Sequence, residues 1–493
     1  MSTHAEPPIR FGTDGWRGLI ADEFTFKRLG TVAPLAAQAL ADSFGNYFHS
    51  NHPSKTIIIG YDRRFLSPEF AQYIAKKVAA VGFDVQLSQG FAPTPAFSWA
   101  AFSQKALGAL VITASHNPAG YSGLKIKGAF GGSVSPDLTK QVERKLDAGL
   151  TLPQVNTGKI TVFDPWESYC QVLRSLVDIQ AIQNLISSGE LTVFADPMYG
   201  AAAGGLAKIL ELPIREINSK SDPTFGGSAP EPLPRYLSAL FRKVRSFHFA
   251  NPDQSSPKLS VGFVFDGDGD RIAAVDSTGN FLSSQILIPI LIDHLAKRRG
   301  FTGEVIKTIS GLNLIPKVAA LHNLPVFETP IGYKYIAERM LSGIAKPLLG
   351  GEESGGIGYG THIPERDALL SALYLLEAIA ISKQDLSTIY DNLQTQTGYK
   401  SYYDRIDKHL ASSEDSKKVL QILQTEPFIE INGRKVISIN TVDGFKFELE
   451  DASWLLIRFS GTEPVLRLYC EAATPELVKQ TLGWISDWVK VVV

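Results

Sequence analysis

At 493 residues the chain exceeds what one hydrophobic core sustains, so several domains are expected, roughly three to five at ordinary domain sizes. Lys and Arg total 48 and Asp and Glu total 50, a net charge of −2 that excludes a general basic field for nucleic acid; 44% apolar and 20% charged residues are an ordinary globular composition. The two cysteines, Cys170 and Cys470, stand in no CxxC pair, which excludes a disulfide framework and argues against structural zinc.

The opening MSTHAEPPIRFGTDGW carries no apolar signal core, and no uninterrupted apolar run reaches the ~18 residues of a membrane span. The expected compartment is the cytoplasm. Three regions then repeat one pattern. Each opens on a β-branched run: TIIIGYDRR (56–64), LTVFADPMYG (191–200) and GEVIKTISG (303–311). Each continues into a helix with an apolar stripe, closed by Gly82, Pro213 or Pro325, and returns as a strand. This is a βαβ unit three times over, with buried parallel strands. A third strand in each region leads into a Gly-rich polar loop: ALVITASHNPAGYSG, VGFVFDGDGDR and PLLGGEESGGIG. Ligands of open α/β sheets bind beyond such strand ends. The apolar segment QILIPILIDHLA (285–296) is short and broken by Pro289 and Asp293, and reads as a buried helix. The tail differs. YKSYYDRIDKHL (399–410) is expected to be a polar helix, followed by strands KVISIN, GFKFELE, WLLIRFSG and VLRLYCEA and a last helix. That is an α+β domain on a small antiparallel sheet, beginning near residue 390.

The polar loops carry the chemistry. Asp266, Asp268 and Asp270 alternate after a strand, and three carboxylates in one tight loop call for a cation. Oxygen ligands suit Mg²⁺. An EF-hand is excluded, because Arg271 and Ser277 stand where Gly and Glu are required. Gly267 and Gly269 let the loop fold, and Arg271 adds a cation for a bridging phosphate. Ser115 in VITASHNP follows a strand and precedes the Asn117-Pro118 turn, so it is expected to be exposed. It lacks a G-x-S-x-G elbow, and taken alone reads equally as a turn cap. His116 alone reads as a hydrogen-bonded loop histidine. Arg458, Ser460, Gly461 and Thr462 in RFSGTEP suit a phosphate nest, and no Walker A loop exists. Glu352, Glu353 and Ser354 in GGEESGG suit recognition of sugar hydroxyls, or a solvated acidic turn. Lys334 opens a helix after the 326–329 strand, and Arg17 and Lys125 lie near Gly-rich turns. The joint reading is a phosphoryl group moving between Ser115 and a hydroxyl in a cleft between domains.

Five motifs, FGTDGWRG, TASHNP, DGDGDR, GEESGG and RFSGTEP, in that order, resemble those of the α-D-phosphohexomutase family, most like a bacterial-type phosphoglucomutase. The resemblance spans nearly the whole chain. It implies three related α/β domains with mixed sheets between helices, plus a C-terminal α+β domain, around a central cleft. The expected divisions are 1–160 (phosphoserine loop), 161–282 (metal-binding loop), 283–388 (sugar recognition) and 389–493 (phosphate binding). By the same resemblance Ser115 is the phosphoserine and a metal ligand beside Asp266, Asp268 and Asp270, and Arg271 steadies its phosphate. Glu352 and Ser354 read the sugar hydroxyls, Arg458, Ser460, Gly461 and Thr462 hold the non-reacting phosphate, and Arg17, His116, Lys125 and Lys334 lie near the reacting centre. Lys125 is the expected proton carrier, with His362 a further substrate-binding candidate. The implied activity interconverts glucose 1-phosphate and glucose 6-phosphate through glucose 1,6-bisphosphate, with Mg²⁺ as cofactor. Partners are hexose phosphates, with no nucleic acid and no membrane, and the chain is a monomer or weak homodimer. Alternatives are a phosphomannomutase or dual-specificity enzyme, a hexose 1,6-bisphosphate synthase, and an inactive sugar-phosphate-binding protein. The last conflicts with a competent residue at every reactive position. The sugar loop reads GEESGG where phosphoglucosamine mutases resemble GEQSGH and phosphomannomutases often carry Met at the place of Glu353.

Overall fold

The computed structural model describes residues 7–12, 14–48, 54–250, 259–459 and 464–493. Apolar periodicity builds its elements. In the helix Ser67–Ala80, Phe70, Ala71, Ile74, Ala75, Val78 and Ala79 share one face at spacings of three and four, and all are buried. That face covers the strand Thr56–Tyr61, whose Ile57, Ile58 and Ile59 are fully buried. Burying each such side chain contributes roughly 1.5–3 kcal/mol.

The first sheet runs in the order Trp16–Leu19, Tyr121–Gly128, Gly108–Ile112, Thr56–Tyr61, Asp84–Ser88, Ile160–Phe163. Its last four strands are parallel; Tyr121–Gly128 turns back antiparallel against Gly108–Ile112. The second sheet repeats this centre. Leu191–Asp196 lies parallel to Arg215–Glu216 and Leu259–Phe265, and Ile272–Val275 returns antiparallel. The third does so again, with Glu304–Thr308 parallel to Val326–Thr329 and Pro347–Gly351, and Ile357–Tyr359 antiparallel. The expected parallel units are present, and each polar loop proves to be the turn of a hairpin closing the unit. The sheets are therefore mixed.

Two expected divisions cut through elements. Ile160–Phe163 pairs with Asp84–Ser88 of the first sheet, and the helix Leu386–Thr397 runs across 388/389. That helix packs on the buried helix Ser284–Asp293, so it belongs with the third unit. The tail departs from expectation in one element. Residues 402–409 form the strand Tyr402–His409, paired antiparallel along its length with Val465–Ala472. Arg405 bonds Asp407, two residues on and on the same face, as a strand allows and a helix does not. The fourth sheet is otherwise the expected antiparallel one, backed by Ser413–Thr425 and Pro475–Val492.

One apolar core joins the first three units. At its centre the helix Ala368–Ser382 is apolar on every face, and Ala368 through Ala380 are all buried. The C-terminal unit has its own core and meets the third unit through Ile309, Trp454, Leu456 and Tyr469. Among the described residues no helix is long and apolar enough to cross a membrane.

Candidate active site

The three hairpin turns lie at equivalent ends of their sheets and converge. Arg271 forms a β-bridge to Gly356, joining the second turn to the third. Thr94 at the start of the helix Thr94–Ser103 joins the first unit to the second, donating its amide to the Asp268 carbonyl (2.9 Å) and its hydroxyl to the Asp268 carboxylate (2.6 Å). Gly267 packs so closely that a β-carbon on it would lie 2.3 Å from the Ser115 carbonyl oxygen.

Ser115 is 1% exposed, which corrects the expectation of an exposed serine. The opposing Asp turn covers it. Its φ is +51°, a left-handed conformation that turns the hydroxyl toward the second unit. There Oγ donates to Asp266 Oδ2 at 2.8 Å, and it lies 3.4 Å from His116 Nδ1. The turn is gripped from below by Arg64, also buried, which donates to the carbonyls of Ser115, Asn117, Pro118 and Tyr121. Arg17 donates to Asn117 Oδ1 at 2.6 Å. Burial, with Arg271 and Arg17 nearby, pushes His116 well below the usual imidazole range, so its ring is neutral at pH 7.

Asp266, Asp268 and Asp270 are fully buried and bring one oxygen each within 4.8 Å of one another. Asp268 Oδ1 and Asp270 Oδ1 have no hydrogen-bond partner. Burial and the two neighbouring carboxylates raise Asp266 well above the usual range. Orphaned oxygens and like charge in a buried cluster fit a hard divalent cation, so these residues could hold one. Arg271 lies beside them, its amide donating to Asp266 Oδ1 at 3.1 Å.

Lys125 is 1% exposed, and its ammonium lies 2.7–2.8 Å from Asp14, Asp268 and Asp270. Burial opposes its charge, but the three carboxylates outweigh burial and raise its pKa, so it is held protonated. It is therefore an electrostatic partner and a hydrogen-bond donor, and no base while those contacts last. Glu352 accepts from Ser354 Oγ at 2.7 Å and from Arg366 at 3.4 Å, so the expected sugar-reading pair is preassembled. Burial raises the Glu352 pKa. Glu353 points elsewhere, accepting from Ser310 and Thr308. Lys334 borders a cavity of about 280 Å³ together with Gly12, Asp14 and Lys140. Arg458 directs its guanidinium at Asp443, with Nε 3.1 Å from both carboxylate oxygens. Ser460, Gly461 and Thr462 lie outside the described residues.

His362 is not at this site. Its side chain is 1% exposed, stacked on Trp99 and 3.6 Å from Asp367, and burial depresses it to about 3. Several residues that are at the site escaped the sequence reading. Asp14 lies inside the FGTDGWRG motif, and Glu365 and Arg366 follow the third hairpin in IPERD. The buried Arg366 guanidinium meets Asp14, Asp270 (2.7 Å) and Glu352 (3.4 Å), linking three units. Arg467 stands directly opposite Arg458 across two antiparallel strands. Each already faces a carboxylate, Arg458 that of Asp443 and Arg467 that of Asp407 on the neighbouring strand. The available signal was a charge inside an apolar strand, as in LLIRF and VLRLY.

Comparison with known proteins gives four consecutive matches to models of phosphoglucomutase/phosphomannomutase domains. They are α/β/α domain I at residues 8–151, domain II at 167–279, domain III at 283–397, and the C-terminal domain at 403–483. A phosphoglucomutase/phosphomannomutase of Thermococcus kodakarensis is 26% identical over 96% of each chain. A phosphoglucosamine mutase of Limosilactobacillus reuteri is 28% identical over 97% of each. The crystal structure of a provisionally assigned phosphomannomutase of Thermus thermophilus superposes with a TM-score of 0.81, at 31% identity, covering 98% of this chain and 100% of that one.

Proposed function

The chain belongs to the phosphoglucomutase/phosphomannomutase family, and we propose that it interconverts the 1- and 6-phosphates of glucose through a phosphoserine at Ser115. Members of this family are isomerases, and the chain is an enzyme of that class. The observation that carries the reading is the Ser115 hydroxyl on Asp266, inside a ring of buried carboxylates and cations.

In the reaction the Oγ–P bond of phosphorylated Ser115 breaks as a P–O bond forms to a free hydroxyl of the sugar phosphate, and the proton lost by that hydroxyl is balanced by the one Ser115 Oγ gains. The resulting bisphosphate turns, and its other phosphoryl group returns to Ser115. Asp266, Asp268 and Asp270 would hold Mg²⁺, which supplies positive charge against the phosphoryl oxygens. Lys125 places an ammonium at the same point, where it donates a hydrogen bond to the oxygen that loses phosphorus. Arg64 holds the turn so that Oγ keeps its aim. Glu352 and Ser354 orient the sugar ring, and Arg458 and Arg467 hold the phosphate that is not reacting.

The preference for a neutral hexose rests on the sugar loop. Glu352 is already matched by Arg366, and Glu353 is committed to Ser310 and Thr308. This loop therefore presents no free carboxylate to a 2-ammonium group, which favours a neutral hexose over glucosamine. The test is a panel of glucose, mannose and glucosamine 1-phosphates with catalytic bisphosphate, joined to intact-mass analysis of Ser115. Glucose 1-phosphate is expected to show the highest kcat/KM, with one phosphoryl group on Ser115. Preference for glucosamine or mannose would overturn the substrate assignment. Bisphosphate as the main released product would make the protein a bisphosphate synthase. Full turnover by Ser115→Ala would end the covalent mechanism.

A further inference from the structure

We propose that Lys127 and Glu365 form a buried positioning pair that sets the geometry of the reacting centre; the inference rests on the function proposed above. The strand Tyr121–Gly128 places Lys125 and Lys127 two residues apart, hence on one face. Both are buried, Lys127 with no exposure at all. Lys125 reaches the Asp triad. Lys127 reaches across to the third unit, with its ammonium 2.5 Å from Glu365 Oε2 and 2.7 Å from Ser133 Oγ.

The pair touches the reacting centre through two intermediaries. Asp14 Oδ1 lies 3.4 Å from Lys127, while Asp14 Oδ2 lies 2.8 Å from Lys125. Asp14 is thus shared between the two lysines. Glu365 Oε1 accepts the backbone amide of Arg366 at 3.1 Å, and the Arg366 side chain meets Asp14, Asp270 and Glu352. The contacts close a ring: Lys127, Glu365, Arg366, Asp14 and back to Lys127. One side of that ring carries Lys125 and Asp270, the other carries Glu352.

Stability does not account for such a pair. Removing a lysine and a glutamate from water costs about as much as their attraction returns, and apolar replacements of such pairs are often neutral or stabilising. Position is what the pair supplies. It fixes Asp14 and Arg366 between units that have no covalent link nearby, so that Lys125 and Glu352 keep a common frame.

The test compares wild type, Lys127→Met and Lys127→Met/Glu365→Gln. The single change leaves Glu365 buried without its cation and is expected to lower Tm. The double change removes both charges and is expected to restore Tm to within a few degrees of wild type. Its kcat is expected to stay about tenfold or more below wild type, a larger change than any in KM. A crystal structure of the double variant is expected to show the Asp14 carboxylate and the Arg366 guanidinium displaced. Wild-type kcat in the folded double variant, a change confined to KM, or Asp14 and Arg366 unmoved would each overturn the proposal. So would a Tm that fails to recover, which would make the pair a folding element. If wild type turns over no hexose phosphate, the proposed function falls, and the crystal structure still decides whether the pair positions its neighbours.

Discussion

Glu352 shows how much one carboxylate at the site does. It is buried, bonded to Ser354, and matched in charge by Arg366, and in the proposed function it accepts from a sugar hydroxyl. Glu352→Gln is expected to lower kcat/KM for glucose 1-phosphate about ten- to a hundredfold, the value of roughly 1.5–3 kcal/mol for a charged hydrogen bond, with Mn²⁺ affinity unchanged. Steady-state kinetics and Mn²⁺ titration decide it, and a loss under about twofold on every sugar would remove Glu352 from the substrate site. Gly267 supports a second prediction. A methyl group there would meet the Ser115 carbonyl at 2.3 Å and Pro230 at 2.9 Å, so Gly267→Ala must push the two turns apart. Misplacement by about an ångström costs on the order of a hundredfold in kcat, and single-turnover phosphorylation of Ser115 is expected to slow in step. The alternating aspartates and the serine before Asn-Pro were legible as residue types. The serine's burial was not, because the wall that covers it is supplied from the second unit. Lys127 was equally hidden, although a second charge within an apolar strand announces a buried partner.

At the scale of elements, strands and helices were legible wherever one face was apolar. The edge strand Tyr402–His409 was not, since most of its residues are exposed and no apolar stripe marks its period. Only the charge spacing from Arg405 to Asp407 distinguished it. The returning hairpin strands were hidden for a different reason: they follow glycine-rich turns that read as the end of a unit, and two of them, Ile272–Val275 and Ile357–Tyr359, are short. The helix Ala368–Ser382 raises a testable point of its own. Its N-cap Asp367 accepts the Leu370 amide and the Tyr169 hydroxyl deep in the core. Burial pushes its carboxyl up to about 7. In an unfolded chain it titrates near 3.9. The folded state therefore binds the extra proton between about pH 4 and pH 7, and its contribution is fully present below that window and lost as pH rises through it. Asp367→Asn keeps the cap and removes the titration. Calorimetry is expected to show the variant gaining on wild type between about pH 4 and pH 7, by at most about 4 kcal/mol, with the difference flat above that window. A difference that is flat within the window as well would show that Asp367 is ionised throughout.

Across the whole molecule, each of the first three units contributes one turn, and none of them alone holds the described site. The order of the motifs foretold this division of labour. Which residues face each other across it depended on how the units dock, which no local pattern encodes. The C-terminal unit is tied to the third by Asp443, which accepts from Arg458 and from the Ile331 amide just ahead of Lys334. Arg458→Ala is expected to raise KM and to release more bisphosphate into solution, while Ser115 still takes up a phosphoryl group. Trapping of labelled bisphosphate checks it, and a normal KM without extra release would remove Arg458 from the distal phosphate. The shared ammonium of Lys125 also bears on how the protein is made. Lys125 and its partner Asp270 are 145 residues apart. A ribosome adding roughly 5–20 residues per second leaves an interval of about 7–30 s between them, and the N-terminal unit folds first. Throughout that interval the nascent unit carries two lysines in a core strand with no partners yet translated from the later units. Asp14 is already there to face both ammonium groups, and water must complete their surroundings until Asp268, Asp270 and Glu365 arrive.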